Sequence, residues 1–308
     1  MNNQVRIAIF AIIVIIPITS YSVWATDSSL QFTKEENFTK IQAIASFYPL
    51  YEFAQQVGKD KVDVQLIVPT GVEPHEWEPT IQEVLQMQKT DFIIINGIGF
   101  ESWVHSLEEL NYQGTIVDTS IGITVSNSEI FNDHNPKTNN ELGDPHIWLN
   151  PVLAKVQVQN IADAFSKSDP THTNFYQTNA QNYISKLDNL DSKIRNELSS
   201  CNHDFITFHN AFSYFAEEYG LNQHSIISSN EPHGEPGAKT LENIITTAKD
   251  LQIQIIFTED TVDPRITNVI ANEFGGRILI LSPIEIGNDE DYIFRMTQNL
   301  ENLKEALC

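Results

Sequence analysis

Four short phrases in the chain carry side chains able to do chemistry: Glu73-Pro-His75-Glu-Trp-Glu-Pro79, Asp144-Pro-His146-Ile-Trp-Leu149, Thr207-Phe-His209-Asn-Ala-Phe212 and Ser282-Pro-Ile-Glu285. The three histidines fall in the same kind of place, just past an expected strand or at the opening of a helix. Pro74 and Pro145 each precede one of them and restrict the backbone there. In α/β sheets the ends of strands are where ligand groups converge. Three neutral imidazoles and a carboxylate suit a divalent first-row metal. Imidazole favours Zn²⁺, Cu²⁺ or Ni²⁺, whereas carboxylates and carbonyls favour Mn²⁺, Mg²⁺ or Ca²⁺. Spacing alone is a weak signal, because no HExxH, CxxC or EF-hand pattern gathers the ligands locally. A histidine taken singly is more often an ordinary surface or core residue.

The elements that must position these groups read as strands alternating with helices. In the first half, Ile41–Phe47, Val62–Val68, Phe92–Asn96 and Thr115–Asp118 are short β-rich runs. Leu50–Val57, Thr80–Lys89 and Trp103–Leu110 between them carry helical patterning. The unbroken apolar run Phe92–Ile95 is what a strand buried on both faces of a parallel sheet requires. The second half repeats the rhythm, with strands at Phe205–Phe208, His224–Ser228, Ile253–Phe257 and Arg277–Leu281. Helices are expected at Ala211–Tyr219, Thr240–Leu251, Arg265–Phe274 and Asp291–Ala306. Between the halves, Pro151–Lys167 and Pro170–Leu198 are helical, and the latter places Phe175, Tyr183, Leu187, Leu190, Ile194 and Leu198 on one face. At about 1.5 Å per residue it would extend about 40 Å, a stiff connector. The expected class is α/β, two parallel-sheet domains joined by a long rigid backbone helix. The expected divisions are a leader over 1–25, a first lobe over 41–150, helices over 151–200 and a second lobe over 201–308.

Composition narrows the function. The chain has 308 residues, and its 18 basic and 41 acidic side chains give a formal charge of −23. Such a field repels nucleic acid and anionic lipid and concentrates cations. Arg6, the apolar run Ile7–Ile18 and Val23-Trp24-Ala25 form a secretory signal with a cleavage site after Ala25. An uncleaved anchor is the competing reading, and no cysteine near that point would carry a lipid. Either way the body is expected outside the cytoplasm. Cys201 and Cys308 are the only cysteines; a bridge between them and two free thiols are both open. Asn37-Phe38-Thr39 is a glycosylation acceptor pattern in a polar leader.

The phrases together resemble the cluster A-I (TroA/ZnuA-like) solute-binding proteins of metal ABC importers, in their zinc branch. The resemblance runs over residues 41–308 and adds Ala45-Ser-Phe-Tyr-Pro-Leu50, Val68-Pro-Thr-Gly-Val72 and Phe257-Thr-Glu-Asp-Thr-Val-Asp-Pro264 to the four phrases. It implies that His75, His146 and His209 bind the ion in the cleft between domains. It also implies Zn²⁺ as transported ligand, because the third position holds His209 where binders of manganese or iron usually carry Glu. Other divalent ions stay open. Glu285 matches the fourth ligand of members with an Asn-Pro-Leu-Glu phrase, with water as its rival. The implied partner is a membrane permease, and the protein is expected to be a monomer and not an enzyme. A zinc hydrolase and an adhesin with a structural metal are the competing classes.

Two segments depart from the family pattern. The Ser126–Gly143 loop, His-rich in many zinc-branch members, is short and holds only His134 with Glu129, Asp133 and Glu141. It reads as a solvated loop. Glu231-Pro-His233-Gly-Glu-Pro236 reads as a turn, with His233 as a candidate extra ligand. Trp77 and Trp148 are expected to wall the cleft, and Asp144 to accept an imidazole N–H.

Overall fold

The computed structural model describes residues 40–125, 143–227, 236–260 and 263–308. The signal segment, Asn37, His134 and His233 lie outside them. No helix among the described residues is long and apolar enough to cross a membrane.

Two four-stranded parallel sheets are present. The first contains β1 (Ile41–Ala45), β2 (Val62–Leu66), β3 (Phe92–Ile95) and β4 (Thr115–Asp118), in the order β2-β1-β3-β4. The second contains β5 (Asp204–His209), β6 (Asn222–Ile227), β7 (Ile255–Thr258) and β8 (Arg277–Ile280), in the order β6-β5-β7-β8. The helices are α1 (Tyr48–Gly58), α2 (Ile81–Met87), α3 (Val104–Glu109), α4 (Pro151–Ser168) and α5 (Thr173–Leu198). They continue with α6 (Ser213–Tyr219), α7 (Ala238–Asp250), α8 (Arg265–Phe274) and α9 (Tyr292–Leu307).

Period-two patterning gives each sheet two apolar faces. Ala43, Ala45, Phe92 and Ile94 point into one core, and Ile44, Ile93 and Ile95 into another with Met87, Trp103 and Leu107. The second sheet repeats this, with Phe205 and Phe257 facing inward and Ile206, Phe208 and Ile256 facing α7 and α8. The inner core is shared: residues of α1, α4, α5 and α9 join it from both halves. Thus α5 does more than connect. Its buried stripe of Tyr176, Ala180, Tyr183, Leu187, Leu190, Ile194 and Leu198 packs along α4, α1 and α9. At 26 residues it is shorter than expected, because Pro170–His172 form a separate 3₁₀ turn. Tyr176, not Phe175, heads the stripe, because it is in helical phase with Tyr183 and Leu190; its hydroxyl donates to Asp169 Oδ2 at 2.9 Å.

Helix starts are marked by their caps. Thr80 and Glu83 form a reciprocal capping box on α2. Asn150 and Asp291 accept backbone N–H groups at the starts of α4 and α9. Cys201 and Cys308 are bonded, closing the bridge across 107 residues and pinning the end of α9 beside β5. In the chain-entropy model a loop of that length is worth about 4–5 kcal/mol.

At the carboxyl ends of β1 and β3, a buried carboxyl ties the strands together. Glu101 accepts from Ser46 Oγ at 2.6 Å, Asn96 N at 2.7 Å and Gly97 N at 3.2 Å. Burial pushes its pKa up to about 7 against these donors.

Candidate metal centre

His209 is the last residue of β5, while His75, His146 and Glu285 follow β2, β4 and β8 in the chain. One nitrogen from each histidine and one oxygen of Glu285 lie within 4.8 Å of one another. All four predicted residues are therefore brought together. Their side chains are almost wholly shielded: His146 and His209 are inaccessible, His75 is 5% exposed and Glu285 3%.

His75 sits in the turn after β2, where its backbone N–H donates to Glu73 Oε1 at 3.2 Å. Its ring meets Phe100 edge-on, with centroids 4.7 Å apart. Its Nε2 lies 3.3 Å from Glu285 Oε1. His146 opens the 3₁₀ turn Ile147–Leu149. Asp144 Oδ1 holds it twice, at 2.7 Å from Nδ1 and 3.1 Å from the backbone nitrogen. Asp144 is fixed in turn by Tyr214, whose hydroxyl donates to its carbonyl at 2.8 Å. His209 is held likewise: Glu259 Oε1 lies 2.5 Å from Nδ1 and 3.2 Å from the backbone nitrogen.

A carboxylate only accepts, so Nδ1 of His146 and of His209 carries the proton and each Nε2 faces the cluster. Those two Nε2 atoms are 3.3 Å apart, and His146 Nε2 is 3.6 Å from Glu285 Oε1. Two imidazole nitrogens facing each other at that distance need a shared cation, a proton or a metal.

The ionisation of the cluster is tightly interlocked. Burial disfavours a charged Glu285, but His75, His146 and His209 outweigh it and hold the carboxyl well below its usual range. Burial also works against the His146 imidazolium, yet Asp144 and Glu285 lift that ring to about 9. His75 is lowered, chiefly by burial. Glu73 is raised to about 8 by burial and by facing Glu285. The group thus sets an ionised carboxylate, Glu285, among three buried imidazoles, of which His146 is the one whose protonated form is favoured.

The chain matches the family model described as "Zinc-uptake complex component A periplasmic" (ZnuA) over residues 44–306. It belongs to this family. It is 35% identical over 294 residues to the high-affinity zinc uptake system protein ZnuA of Bacillus subtilis strain 168, covering 91% of this chain and 92% of that protein. It is 33% identical over 280 residues to the zinc-binding lipoprotein AdcA of Streptococcus pneumoniae R6; that match takes in 87% of this chain and only 56% of AdcA. Among solved structures, the Zn(II)-bound ZnuA-like domain of Streptococcus pneumoniae AdcA is similar at a TM-score of 0.74 and 31% identity, covering 87% of this chain and 98% of that domain. The family is one of transport-system components, and the two-sheet architecture with its long helix agrees with it.

Asp144 takes the orienting role expected for it. Trp148 does wall the site, its ring 5.1 Å from His146. Trp77, expected to wall the cleft as well, packs edge-on against Trp103 in the outer core of the first half. Away from the cluster, His172 pairs with Asp169, His203 with the Gly220 carbonyl and His224 with Asp204. Sequence reasoning missed Glu259 as a partner of His209. It lies in the Phe257-Thr-Glu-Asp260 phrase, one residue past β7. With the strand order β6-β5-β7-β8 in hand, a carboxylate at that point is a neighbour of the end of β5.

Proposed function

We propose that this protein captures Zn²⁺ outside the cytoplasm with His75, His146, His209 and Glu285 and presents it, as a monomer, to a membrane permease for uptake. The observation that carries the reading is the convergence of three imidazole nitrogens and one carboxylate oxygen within 4.8 Å. Such a donor set suits zinc rather than a harder ion. The Zn(II)-bound AdcA domain and the zinc uptake protein of Bacillus subtilis support the same ion. With Glu285 in the fourth place there is no open position for an activated water, so the protein binds and does not hydrolyse.

Competitive calorimetric titration tests this. Wild type should prefer zinc to manganese, and His209→Glu should lose that preference by replacing a borderline-soft donor with a hard one. An unchanged preference in the variant would undo the zinc assignment.

Binding should also be coupled to protons in a defined direction. The His146 ring holds a second proton up to about 9, and zinc needs the Nε2 lone pair that this proton occupies. At pH 7.5, uptake should therefore expel about one proton from His146 per zinc. Zinc affinity should climb about tenfold per pH unit until about pH 9, then level off, and it should weaken in acid. Calorimetry in buffers of different ionisation heat counts the proton directly; a count of zero would refute the coupling.

A further inference from the structure

The segment that presents Glu285 is held by α9. Arg295, 6% exposed, reaches both sides of it: Nη1 donates to the Ile286 carbonyl at 2.6 Å and Nη2 to Ser282 Oγ at 2.8 Å. The same Nη2 lies 3.3 Å from Asp260 Oδ2, which accepts the Ser282 hydroxyl at 2.6 Å. One helical turn on, Asn299 clamps Ser282 reciprocally, accepting from its N–H at 2.8 Å and donating to its carbonyl at 2.7 Å. Trp148 Nε1 donates to the Pro283 carbonyl at 2.7 Å.

Between these anchors the backbone is strained. Ile284 is fully buried at φ +61, a left-handed conformation that a β-branched side chain adopts only when its surroundings force it. That turn aims Glu285 at His75 and His146. Relaxing it would carry Glu285 away, and among the described contacts Arg295 is the side chain that bonds to the segment on both sides of Glu285.

We propose that Arg295 is a positioning residue for zinc binding, which holds Glu285 in ligating register without touching the ion; this rests on Glu285 being a ligand. The guanidinium suits the task because its planar fork spans two acceptors from one rigid group. The neighbouring ring of Tyr48, 5.5 Å from Arg295 Cζ, covers it.

The test is a double-mutant cycle of Arg295→Met and Glu285→Ala, read by zinc competition and by the visible spectrum of the Co²⁺-loaded proteins. Arg295→Met should weaken zinc binding about ten- to a hundredfold, as loss of an outer partner of a metal site does. Its Co²⁺ spectrum should move toward that of Glu285→Ala. In the Glu285→Ala background the same change should alter affinity less than about twofold, because the two act as one unit. Arg295→Lys keeps the buried charge and serves if the methionine variant does not fold. One ammonium cannot reproduce the fork, so it should fall between wild type and Arg295→Met. Equal losses in both backgrounds, or a wild-type Co²⁺ spectrum in the Arg295 variants, would overturn the positioning role alone. Wild-type affinity in Glu285→Ala would overturn the ligand assignment and the positioning role with it.

Discussion

His146→Ala should lower zinc affinity by about two to three orders of magnitude. A four-ligand zinc site is worth roughly 10–16 kcal/mol, so an even share per ligand is about 2.5–4 kcal/mol, and each ~1.4 kcal/mol is tenfold. The environment of this ring pushes the loss toward the upper figure. His146 is inaccessible to solvent, and its removal strips Asp144 Oδ1 of its shortest hydrogen bond inside the protein. The remaining donors would have to hold the ion with water in place of a ring oriented in advance. Competition against a chromogenic chelator reads the change, and circular dichroism of the metal-free variant checks that the fold persists. A well-folded His146→Ala protein that still binds zinc at wild-type strength would mean that the ion sits elsewhere.

The second large effect is on stability. Glu52 on α1 accepts from Tyr48 Oη at 2.8 Å, from Tyr183 Oη of α5 at 2.9 Å and from the backbone nitrogen of Tyr292 at the head of α9 at 2.6 Å. One carboxyl therefore joins the first half, the long helix and the last helix. The single Tyr48 Oη proton also has the Glu290 carbonyl within reach, at 2.6 Å, so this hydroxyl keeps an acceptor if Glu52 is lost. Tyr183 Oη and Tyr292 N–H would be left without this acceptor. Each such buried orphan costs about 1–3 kcal/mol, and the vacated volume adds to it. Glu52→Ala should thus lose about 3–5 kcal/mol in urea denaturation. A loss under about 1 kcal/mol would show that the junction is not a stabilising centre. The pH dependence has a definite sign. Burial, despite the donors, raises the Glu52 pKa above its ordinary value, so the folded protein retains this proton where the unfolded chain has shed it. This contribution therefore declines as pH rises from the ordinary carboxylate range upward, and Glu52→Gln should flatten the decline.

Much of this architecture is written in local pattern. The apolar run Phe92–Ile95 announces a strand covered on both faces, and it is one. Arg265–Phe274 is bounded as its spacing and the following Gly275-Gly276 require, with Gly275 in the left-handed cap conformation. The candidate histidines are conspicuous in the sequence because His75 and His146 each follow a proline in a stiff phrase, while His209 closes the apolar run that becomes β5. What pattern could not supply are partnerships between distant residues of ordinary type. Glu259 is 50 positions from His209, and Arg295 meets Ser282 only because α9 folds back along the loop before it. The Cys201–Cys308 bond likewise depends on two ends meeting, which composition leaves open.

Both sheets share one strand order, with the reversal of winding between β1 and β3 in the first and between β5 and β7 in the second. In open α/β proteins that crevice commonly receives an anionic guest such as a phosphate, gripped by backbone amides. Here the first crevice is plugged by the protein itself, since Glu101 already occupies the amides of Asn96 and Gly97. The second is furnished with His209 and Glu259 in place of free amides. Of two crevices with the same winding, one is thus stoppered by a carboxyl and the other lined with groups suited to a guest of the opposite sign.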